Sequence, residues 1–292
     1  MTELSARERA EAKINLSLDV LGALPGGYHE IYSVMQSVSL ADELVIRLTP
    51  GAGASAHCPG LPEGAENTAV KAALAFFDDA DITGLRAEIT IEKRIPTAAG
   101  LGGGSADAAA VLRALNRLTE TGFSDDRLRE LAAAVGSDVP FCVSGGAAIA
   151  RGRGEILSPL PSLPRCFIVI AKPPFPVSTA EMYREYDRVG SQSRPDTDGL
   201  TAAMRSGDLY DAARRVCNVF EDVLPPDIRA EIFKIKKRFM DSGALAAAMS
   251  GTGGAVFALF DSEGAAKRAQ GAVSRDYAEC YLAEPTYAAC RK

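Results

Sequence analysis

The sequence predicts an α+β protein of two domains, and three observations lead to that prediction. The first half alternates strand and helix patterns, the segment 158–164 holds three prolines in seven residues, and an all-apolar strand pattern follows it. Domains commonly hold about 100–200 residues, so a chain of 292 residues suits one large domain or two ordinary ones. We therefore expect an N-terminal domain over residues 1–157 and a C-terminal domain over residues 163–292.

Hydrophobic periodicity locates the elements of the first half. Apolar residues alternate with polar ones, or form a short run, in three segments that we interpret as strands: 12–20, 44–48 and 85–93. A helix over 67–77 is predicted from the apolar face of Val70, Leu74 and Phe77. A second helix follows a glycine-rich turn, and its apolar positions are Ala108, Val111, Leu112, Leu115 and Leu118. A third helix is expected between the N-cap residue Ser124 and the stop at Gly136.

The second half is predicted in the same way. Strands are expected at 166–171, 245–249 and 255–260, the last two forming a pair around the glycine-rich segment 250–254. Helices are expected from Ser178 or Thr179, over 209–220, over 228–240 and from Gly264. The segment 172–177 is interpreted as a loop broken by prolines, and 191–199 as a polar surface loop.

The charge balance disfavours nucleic acid as a partner. The chain has 32 basic and 38 acidic side chains, a net charge of −6. A general nucleic-acid binder needs a basic footprint that releases counterions from phosphates. The longest basic run, residues 234–238, lies among apolar residues at helical spacing, and we interpret it as the solvated side of an amphipathic helix.

Neither a membrane span nor a metal centre is expected. No apolar stretch approaches the ~18–20 residues that a span needs, and the N-terminus lacks the apolar core of a signal peptide, so we expect a cytoplasmic protein with no membrane partner. The six cysteines, at positions 58, 142, 166, 217, 280 and 290, show no C-x-x-C spacing and are expected to be reduced. With only two histidines, His29 and His57, no zinc or iron site is expected.

The strongest chemical motif is a glycine-rich loop between a predicted strand and a predicted helix. Four glycines lie within residues 100–104, where they let the backbone turn tightly and approach a ligand. The following helix presents free N–H groups and a positive dipole end, which together favour phosphate. The loop lacks the lysine of a Walker motif, and Ser105 stands where the dinucleotide fingerprint has its last glycine. The alternative is a turn shaped by packing alone.

This loop and six further motifs resemble those of the GHMP kinases, which include galactokinase, homoserine kinase and mevalonate kinase. The motifs run in family order from residue 12 to about residue 257: Ala12-Lys13-Ile14-Asn15-Leu16, Gly27-Tyr28-His29-Glu30, Gly136-Ser137-Asp138-Val139-Pro140-Phe141, Gly152-Arg153-Gly154-Glu155, Lys172-Pro173-Pro174 with Val177-Ser178-Thr179, and Ser250-Gly251-Thr252-Gly253. They are most similar to the branch that phosphorylates a cytidine diphosphate-linked methylerythritol in non-mevalonate isoprenoid synthesis. The resemblance implies the family fold, an N-terminal α/β nucleotide domain like ribosomal protein S5 and a C-terminal ferredoxin-like α/β domain, with both ligands in the cleft between them.

The resemblance also implies a catalytic pair. Asp138 occupies the position of the family's catalytic aspartate, and its residue type and place suit equally well a helix-end cap. Because the transition state of phosphoryl transfer is loose, orienting the acceptor hydroxyl and taking its proton late is a sufficient role. Lys13, between apolar neighbours on a predicted strand, would keep that carboxylate ionised and screen the transferring group. Its alternative is a strand-edge lysine that faces water.

The ligand contacts are carried over from the family residue by residue. The phosphate loop comprises Pro96, Thr97, Ala98, Ala99, Gly100, Leu101, Gly102, Gly103, Gly104, Ser105 and Ala106, and the adenine pocket comprises Asn67 and Lys93. Substrate contacts are implied for Asn15, Tyr28, His29, Thr179, Tyr183 and Gly253, with tyrosine stacking on cytosine and His29 bonding its edge. The expected cofactor is ATP as its magnesium complex, with Ser105 as an indirect contact to the metal.

The chain departs from the family pattern at three positions: Gly26 replaces an aspartate, Glu11 a proline and Asp19 a histidine. These departures bear on individual substrate contacts and leave the kinase motifs intact. One alternative is a sibling GHMP kinase for mevalonate, homoserine or a sugar, which should lack the Lys13 and Gly-Tyr-His motifs. Another is a catalytically inactive ligand sensor, which should have lost Asp138 or the loop. We expect a monomer or a weak homodimer with a small-molecule substrate as its only partner.

Overall fold

The computed structural model describes residues 4–288, and these form two compact units. One unit, here called unit 1, contains the residues up to Ala12, Ala41–Ile95 and Gly102–Gly145; unit 2 contains Lys13–Leu40, Pro96–Leu101 and the residues from Gly146 onward. Two long strands, β1 (Leu4–Leu24) and β2 (Tyr28–Pro50), contribute residues to both units. Each unit therefore consists of separate chain segments. The domain boundary predicted at 158–164 is not tested by this division and stays a prediction.

Unit 1 joins part of a sheet to a group of helices. Strand β2 pairs antiparallel with β4 (Leu85–Glu92), which pairs in parallel with β3 (Gly53–His57). The helices are α1 (Thr68–Asp79), α2 (Gly103–Leu118), α3 (Asp125–Val135) and the short α4 (Val139–Ser144). The predicted apolar face of α2 is confirmed, since Ala108, Val111, Leu112 and Leu115 are fully buried. Ser124 caps α3 by accepting a hydrogen bond from the N–H of Arg127, as predicted.

Unit 2 contains the rest of that sheet and a second sheet. In the first, β2 pairs with β5 (Ala147–Arg151), β5 with β6 (Ile156–Leu160), and β1 in parallel with β8 (Cys217–Asn218). The second sheet is antiparallel in the order β11–β7–β10–β9, with bounds Glu279–Ala283, Phe167–Lys172, Val256–Phe260 and Ala246–Met249. The predicted strand pair around 250–254 is confirmed as β9 and β10.

The helices of unit 2 are α5 (Thr179–Val189), α6 (Thr197–Ser206), α7 (Leu209–Arg214), α8 (Pro226–Asp241) and α9 (Glu263–Val273). A 3₁₀ turn follows β8 at Val219–Val223, and another, Pro25–Gly27, joins β1 to β2. The amphipathic interpretation of the basic run is confirmed, because Ile232, Ile235 and Phe239 of α8 are buried while its lysines pair with acidic side chains.

Several predicted elements differ in the structure. The proline-rich segment expected to be a linker is in part strand, since Pro159 lies in β6. Within residues 4–288, β6 pairs only with β5, and an edge strand tolerates a residue without an N–H. The helix predicted over 209–220 ends at Arg214, and α6 begins inside the predicted polar loop at Thr197, where the Asp196 carboxylate caps it. Leu74, predicted on the inner face of α1, is 38% exposed.

The described helices also bear on the membrane question. Among residues 4–288, no helix combines the length and apolar composition of a membrane span.

Candidate active site

The glycine-rich loop leads into an uncapped helix. Backbone φ is positive at Ala98 (50°), Gly100 (75°) and Gly102 (71°), and Gly102 is the N-cap of α2. No side chain caps this helix and no acidic residue lies in its first turn, whereas α3 has both a serine cap and two aspartates. The N–H groups and dipole of α2 are therefore left for an external anion.

Two of these glycines are closely packed within unit 1. A Cβ at Gly103 would lie 3.1 Å from Ile95 and 3.2 Å from Lys93 Nζ, and a Cβ at Gly104 would lie 3.0 Å from Thr68 Oγ1. The Thr68 hydroxyl donates to the Gly104 carbonyl at 2.8 Å. Packing thus favours these two glycines without any ligand, and it is the chemistry of the helix start that favours an anion.

A buried charge cluster in unit 1 connects the end of β4 to α2. Lys93 Nζ donates to Asp42 Oδ2 at 2.5 Å and to Asp107 Oδ2 at 2.9 Å. Asp42 Oδ1 accepts from the backbone N–H groups of Arg94 and Ile95, at 2.6 and 2.8 Å. Asp42 is thereby saturated with donors, and it holds the chain segment that leads directly into the glycine-rich loop.

Asp107 is the carboxylate of this cluster that accepts fewer hydrogen bonds. Its Oδ1 is buried and has no hydrogen-bond partner among the described residues. Burial raises the pKa of Asp107 to about 7, with the Lys93 ammonium opposing that shift and the Asp42 carboxylate adding to it. Burial acts to lower the pKa of Lys93, but Asp107 and Asp42 outweigh it, so the pKa of that lysine is raised. Lys93 stays charged between the two carboxylates.

The two residues predicted to line an adenine pocket have structural partners. Asn67 caps α1: its Oδ1 accepts from the Ala69 N–H at 2.9 Å and its Nδ2 donates to the Pro62 carbonyl at 2.9 Å. Lys93 donates to two carboxylates. Their contact with adenine stays a prediction.

In unit 2 the two glycine-rich segments are in direct contact. A Cβ at Gly100 would lie 2.0 Å from the Ser250 carbonyl oxygen, which only a glycine permits at this approach. Ser250 Oγ donates to the Gly100 carbonyl at 2.9 Å, and the Ala255 N–H donates to the Ala99 carbonyl at 3.0 Å. We call this contact between residues 99–100 and 250–255 the glycine clasp.

The start of the unit 2 part of β1 adjoins the clasp. The Lys13 N–H donates to the Leu101 carbonyl at 2.9 Å, and the Asn15 N–H donates to Ser250 Oγ at 3.3 Å. Lys13 Nζ donates to Asn15 Oδ1 at 2.7 Å, and Asn15 Nδ2 donates to Ser33 Oγ at 2.8 Å. Lys13 is only 4% exposed, so the alternative of a lysine facing water is wrong. Two residues predicted for chemistry and substrate thus share one hydrogen-bond network.

A second predicted group, the Tyr28–His29 pair, also comes together in unit 2. The His29 ring stacks on Tyr183 of α5 with centroids 4.6 Å apart, and its Nε2 lies 2.7 Å from Asp187 Oδ1. Tyr28 is 50% exposed, and the guanidinium of Arg153 lies 4.8 Å from the centre of its ring. Two of the three aromatic side chains predicted to bind a base, His29 and Tyr183, are therefore in contact, although the prediction that they bind it is not tested.

The turn before Tyr28 explains one departure from the family pattern. Gly26 has φ of 80°, and Gly27 has φ of 79°. An aspartate at position 26 would be strained in this conformation, so the glycine agrees with the local backbone.

The segment 250–254 is held by residues that the sequence analysis missed. Asn218 Nδ2 donates to the carbonyls of Met249 and Gly251, each at 2.8 Å, and Glu221 Oε1 accepts from the Met249 N–H at 2.8 Å. Both side chains are at least nine-tenths buried. The sequence analysis placed Asn218 in a helix over 209–220 and gave Glu221 no role, because neither residue belongs to a recognisable motif.

The remaining predicted residues are placed as follows. Thr179 Oγ1 lies 2.8 Å from Thr252 Oγ1, and a Cβ at Gly253 would lie 2.7 Å from Met249 Sδ. Asp138, in unit 1, is the N-cap residue of α4, but its side chain makes no capping hydrogen bond, so the cap alternative does not explain the aspartate. Ser105 lies in the first turn of α2 and is half-buried.

The described residues contain free cysteines and no metal-binding cluster. The five cysteines within residues 4–288 are free thiols, and burial raises the pKa of Cys166 to about 12 and of Cys280 to about 11. Cys290 lies outside the described residues. No group of three His, Cys, Asp or Glu side chains in that part of the chain could hold a metal ion.

Comparison with known proteins identifies close relatives. The models of the GHMP kinase N-terminal domain and C-terminal domain match residues 67–146 and 200–279. A 4-diphosphocytidyl-2-C-methyl-D-erythritol kinase of Alkaliphilus metalliredigens is 42% identical over 94% of this chain and 95% of its own length. One from Pelotomaculum thermopropionicum is 48% identical over 86% of this chain and 87% of its own. A crystal structure of 4-(cytidine 5'-diphospho)-2C-methyl-D-erythritol kinase superposes with a TM-score of 0.80 at 33% identity, covering 96% of this chain and 99% of that one.

The glycine clasp predicts a stability difference between two glycine substitutions. Gly100→Ala places a Cβ against the Ser250 carbonyl at positive φ and should lower the free energy of unfolding by about 2–4 kcal/mol. Gly122 has nearly the same φ, 74°, and open space around it, so Gly122→Ala should cost only about 1–2 kcal/mol. Urea unfolding of both variants measures the difference, and equal costs would contradict the clasp.

The buried charge cluster predicts that Asp107→Asn raises the free energy of unfolding, relative to the parent, more at high pH than at low pH. Because the pKa of Asp107 is raised from 3.8 to about 7 on folding, the folded chain keeps a proton that the unfolded chain loses, and its stability falls as pH rises from about 4 to about 7. Asparagine removes this loss, so the free energy of unfolding of the variant relative to the parent should rise between pH 5 and pH 8, by on the order of 1–3 kcal/mol.

Chemical unfolding at the two pH values measures this change. Asp126→Asn, at an 84% exposed side chain on α3, is the control and should show no such rise. If the free energies of unfolding of Asp107→Asn and the parent differ by the same amount at both pH values, Asp107 does not hold a proton in the folded chain.

Proposed function

The chain belongs to the GHMP kinases and, within them, to the 4-diphosphocytidyl-2-C-methyl-D-erythritol kinases, and we propose that it phosphorylates the substrate of that branch. The reaction transfers the γ-phosphoryl group of ATP to the 2-hydroxyl of 4-diphosphocytidyl-2-C-methyl-D-erythritol, and it yields the 2-phosphate and ADP. This is a step of isoprenoid precursor synthesis without mevalonate. The observation that carries the proposal is the hydrogen-bonded set of Lys13, Asn15 and Ser250 beside the glycine clasp.

Phosphate binding is proposed for the loop 96–106 and the start of α2. The uncapped N–H groups of α2 supply donors and a positive dipole end, so a net negative protein can bind ATP without a basic patch. Asp42 acts indirectly, since it holds the backbone at Arg94 and Ile95, immediately before the loop. We expect this preorganisation to position the γ-phosphoryl group rather than only to bind ATP.

Proton transfer is proposed for Asp138 and charge stabilisation for Lys13. In the transfer the bond between the γ-phosphorus and its bridging oxygen breaks, a bond forms to the 2-oxygen of the substrate, and the hydroxyl proton passes to the Asp138 carboxylate. Because the transition state is loose, the proton leaves late, and orientation of the hydroxyl is the larger part of the aspartate's role. The Lys13 ammonium, buried and fixed by Asn15, supplies a positive charge to the transferring group.

Cytidine binding is proposed for Tyr28, His29 and Tyr183. An exposed tyrosine face suits base stacking, which contributes about 1–3 kcal/mol per base. Thr179 and Gly253 are proposed to contact the substrate, as the resemblance implies.

Magnesium is expected to arrive with ATP. Ser105 fits an indirect contact, because it is half-buried in the first turn of α2, whose N–H groups are proposed to bind phosphate. Bound with ATP, the ion would neutralise charge on the phosphate oxygens, and Ser105 would be its indirect contact. A cytoplasmic location and a monomer or weak homodimer stay predictions.

The test is ADP release with ATP and three acceptors. We expect turnover with 4-diphosphocytidyl-2-C-methyl-D-erythritol and kcat/KM at least about a hundredfold lower with mevalonate and homoserine, which lack a base to stack. Phosphorylation at the 2-hydroxyl is read by ³¹P NMR of the product. Comparable turnover of all three acceptors, or none with the first, would overturn the proposal.

Substitution of the proposed base separates chemistry from binding. Asp138→Asn should lower kcat by a factor of about 10²–10⁴ and leave the Kd for ATP within about twofold, because only proton transfer and hydroxyl orientation are removed. Single-turnover kinetics and calorimetric ATP titration measure the two effects. Activity retained within about tenfold would show that Asp138 is not the base.

A further inference from the structure

The histidine proposed to bond the base is held from two sides by one helix. Tyr183 and Asp187 lie four residues apart on α5, so both side chains project from the same face of the helix. Tyr183 stacks on the His29 ring at an interplanar angle of 22°, and Asp187 Oδ1 lies 2.7 Å from His29 Nε2. The His29 side chain is only 9% exposed, whereas Asp187 is 57% exposed. Helix α5 therefore contacts the ring both on one face, through Tyr183, and at Nε2, through Asp187.

This contact determines which ring nitrogen carries the proton. An ionised carboxylate accepts hydrogen bonds and donates none, so a bond to Asp187 requires a proton on Nε2. In the neutral imidazole the other nitrogen, Nδ1, is then an acceptor. Nδ1 has no hydrogen-bond partner among residues 4–288 and is not one of the buried unpartnered atoms found there, so it is not fully sealed from solvent.

We propose that Asp187 is a positioning residue that makes His29 Nδ1 a hydrogen-bond acceptor and thereby selects cytosine over uracil. The two bases differ at position 4, where cytosine has an amino group that donates and uracil has an oxygen that accepts. An acceptor at Nδ1 bonds the amino group of cytosine and faces the oxygen of uracil with no proton between them. The inference rests on the proposed cytidine substrate and adds to it the residue that determines base selectivity.

The charged neighbours of Asp187 leave it available for this role. Glu185 and Arg188, on the same helix, pair with each other at 2.5 Å, and Arg184 pairs with Glu181 at 3.8 Å. Glu185→Lys therefore changes the charge of α5 by the same amount as Asp187→Lys without touching His29, and it is the matched control.

The first experiment reads the proton directly. The chain has only two histidines, so a ¹⁵N–¹H correlation spectrum of histidine-labelled protein at pH 8 contains two rings, and His57→Gln assigns them. We expect His29 to carry its proton on Nε2 in the parent, in Asp187→Glu and in Glu185→Lys. Asp187→Lys replaces the acceptor by a donor and should shift the proton to Nδ1.

The second experiment measures selectivity as the ratio of kcat/KM for the cytidine substrate to that for its uridine analogue. Asp187→Lys should lower this ratio by about tenfold or more, mostly through KM for the cytidine substrate, while KM for ATP stays within about twofold. Asp187→Glu and Glu185→Lys should keep the ratio within about threefold of the parent. Because Asp187 is exposed, these variants are expected to fold.

The outcomes separate this inference from the proposed function. A parent that does not phosphorylate the cytidine substrate contradicts the proposed function. A parent that does so overturns the inference if His29 carries protons on both nitrogens or on Nδ1 alone. It is equally overturned if Asp187→Lys shifts the proton and leaves the base ratio unchanged, or if Glu185→Lys lowers that ratio as much.

Discussion

The arrangement of unit 2 depends on the approach of the Gly100 backbone to the Ser250 carbonyl. No side chain fits between them, since a Cβ at Gly100 would lie 2.0 Å from that oxygen. The Ser250 hydroxyl then accepts from the Asn15 N–H and donates to the Gly100 carbonyl. Two glycine-rich segments about 150 residues apart in the chain are thus joined to β1, which also carries Lys13. Lys13 and Asn15 are connected to this approach through the hydrogen bonds of β1 to Leu101 and Ser250.

The charge cluster of unit 1 fixes the backbone immediately before the glycine-rich loop. Asp42 is saturated by three donors, two of them backbone N–H groups, and this fixes the exit of β4. The cluster has two carboxylates and one ammonium, so burial leaves Asp107 with a raised pKa and an unpartnered oxygen. The buried Asp107 carboxylate therefore lowers the free energy of unfolding at neutral pH. Groups that are unfavourable for stability are expected near functional sites.

Much of the fold followed from local patterns, and the failures have identifiable causes. The apolar spacing of α2, the Ser124 cap and the antiparallel pair β9–β10 were all predictable, because each depends on residues close in sequence. Strand β6 was not, since its one proline, Pro159, is tolerated because the strand lies at a sheet edge. The end of α7 at Arg214 reflects the pairing of Cys217 and Asn218 with β1, a contact of 200 residues' separation that no local pattern contains.

By itself, the sequence determined the glycine-rich loop, the order of the kinase motifs and the family to which they belong, because glycines and short polar motifs act through the local backbone. It also determined that Lys13, an ionisable side chain between apolar neighbours, needed an explanation other than solvation. Only the tertiary structure decided which partners these residues meet: Asn15 for Lys13, Ser250 for Gly100, Asp187 for His29 and Asn218 for the carbonyls of the second glycine segment. Those contacts join residues far apart in the chain, and their hydrogen bonds exist only once packing has removed water and fixed the side chains.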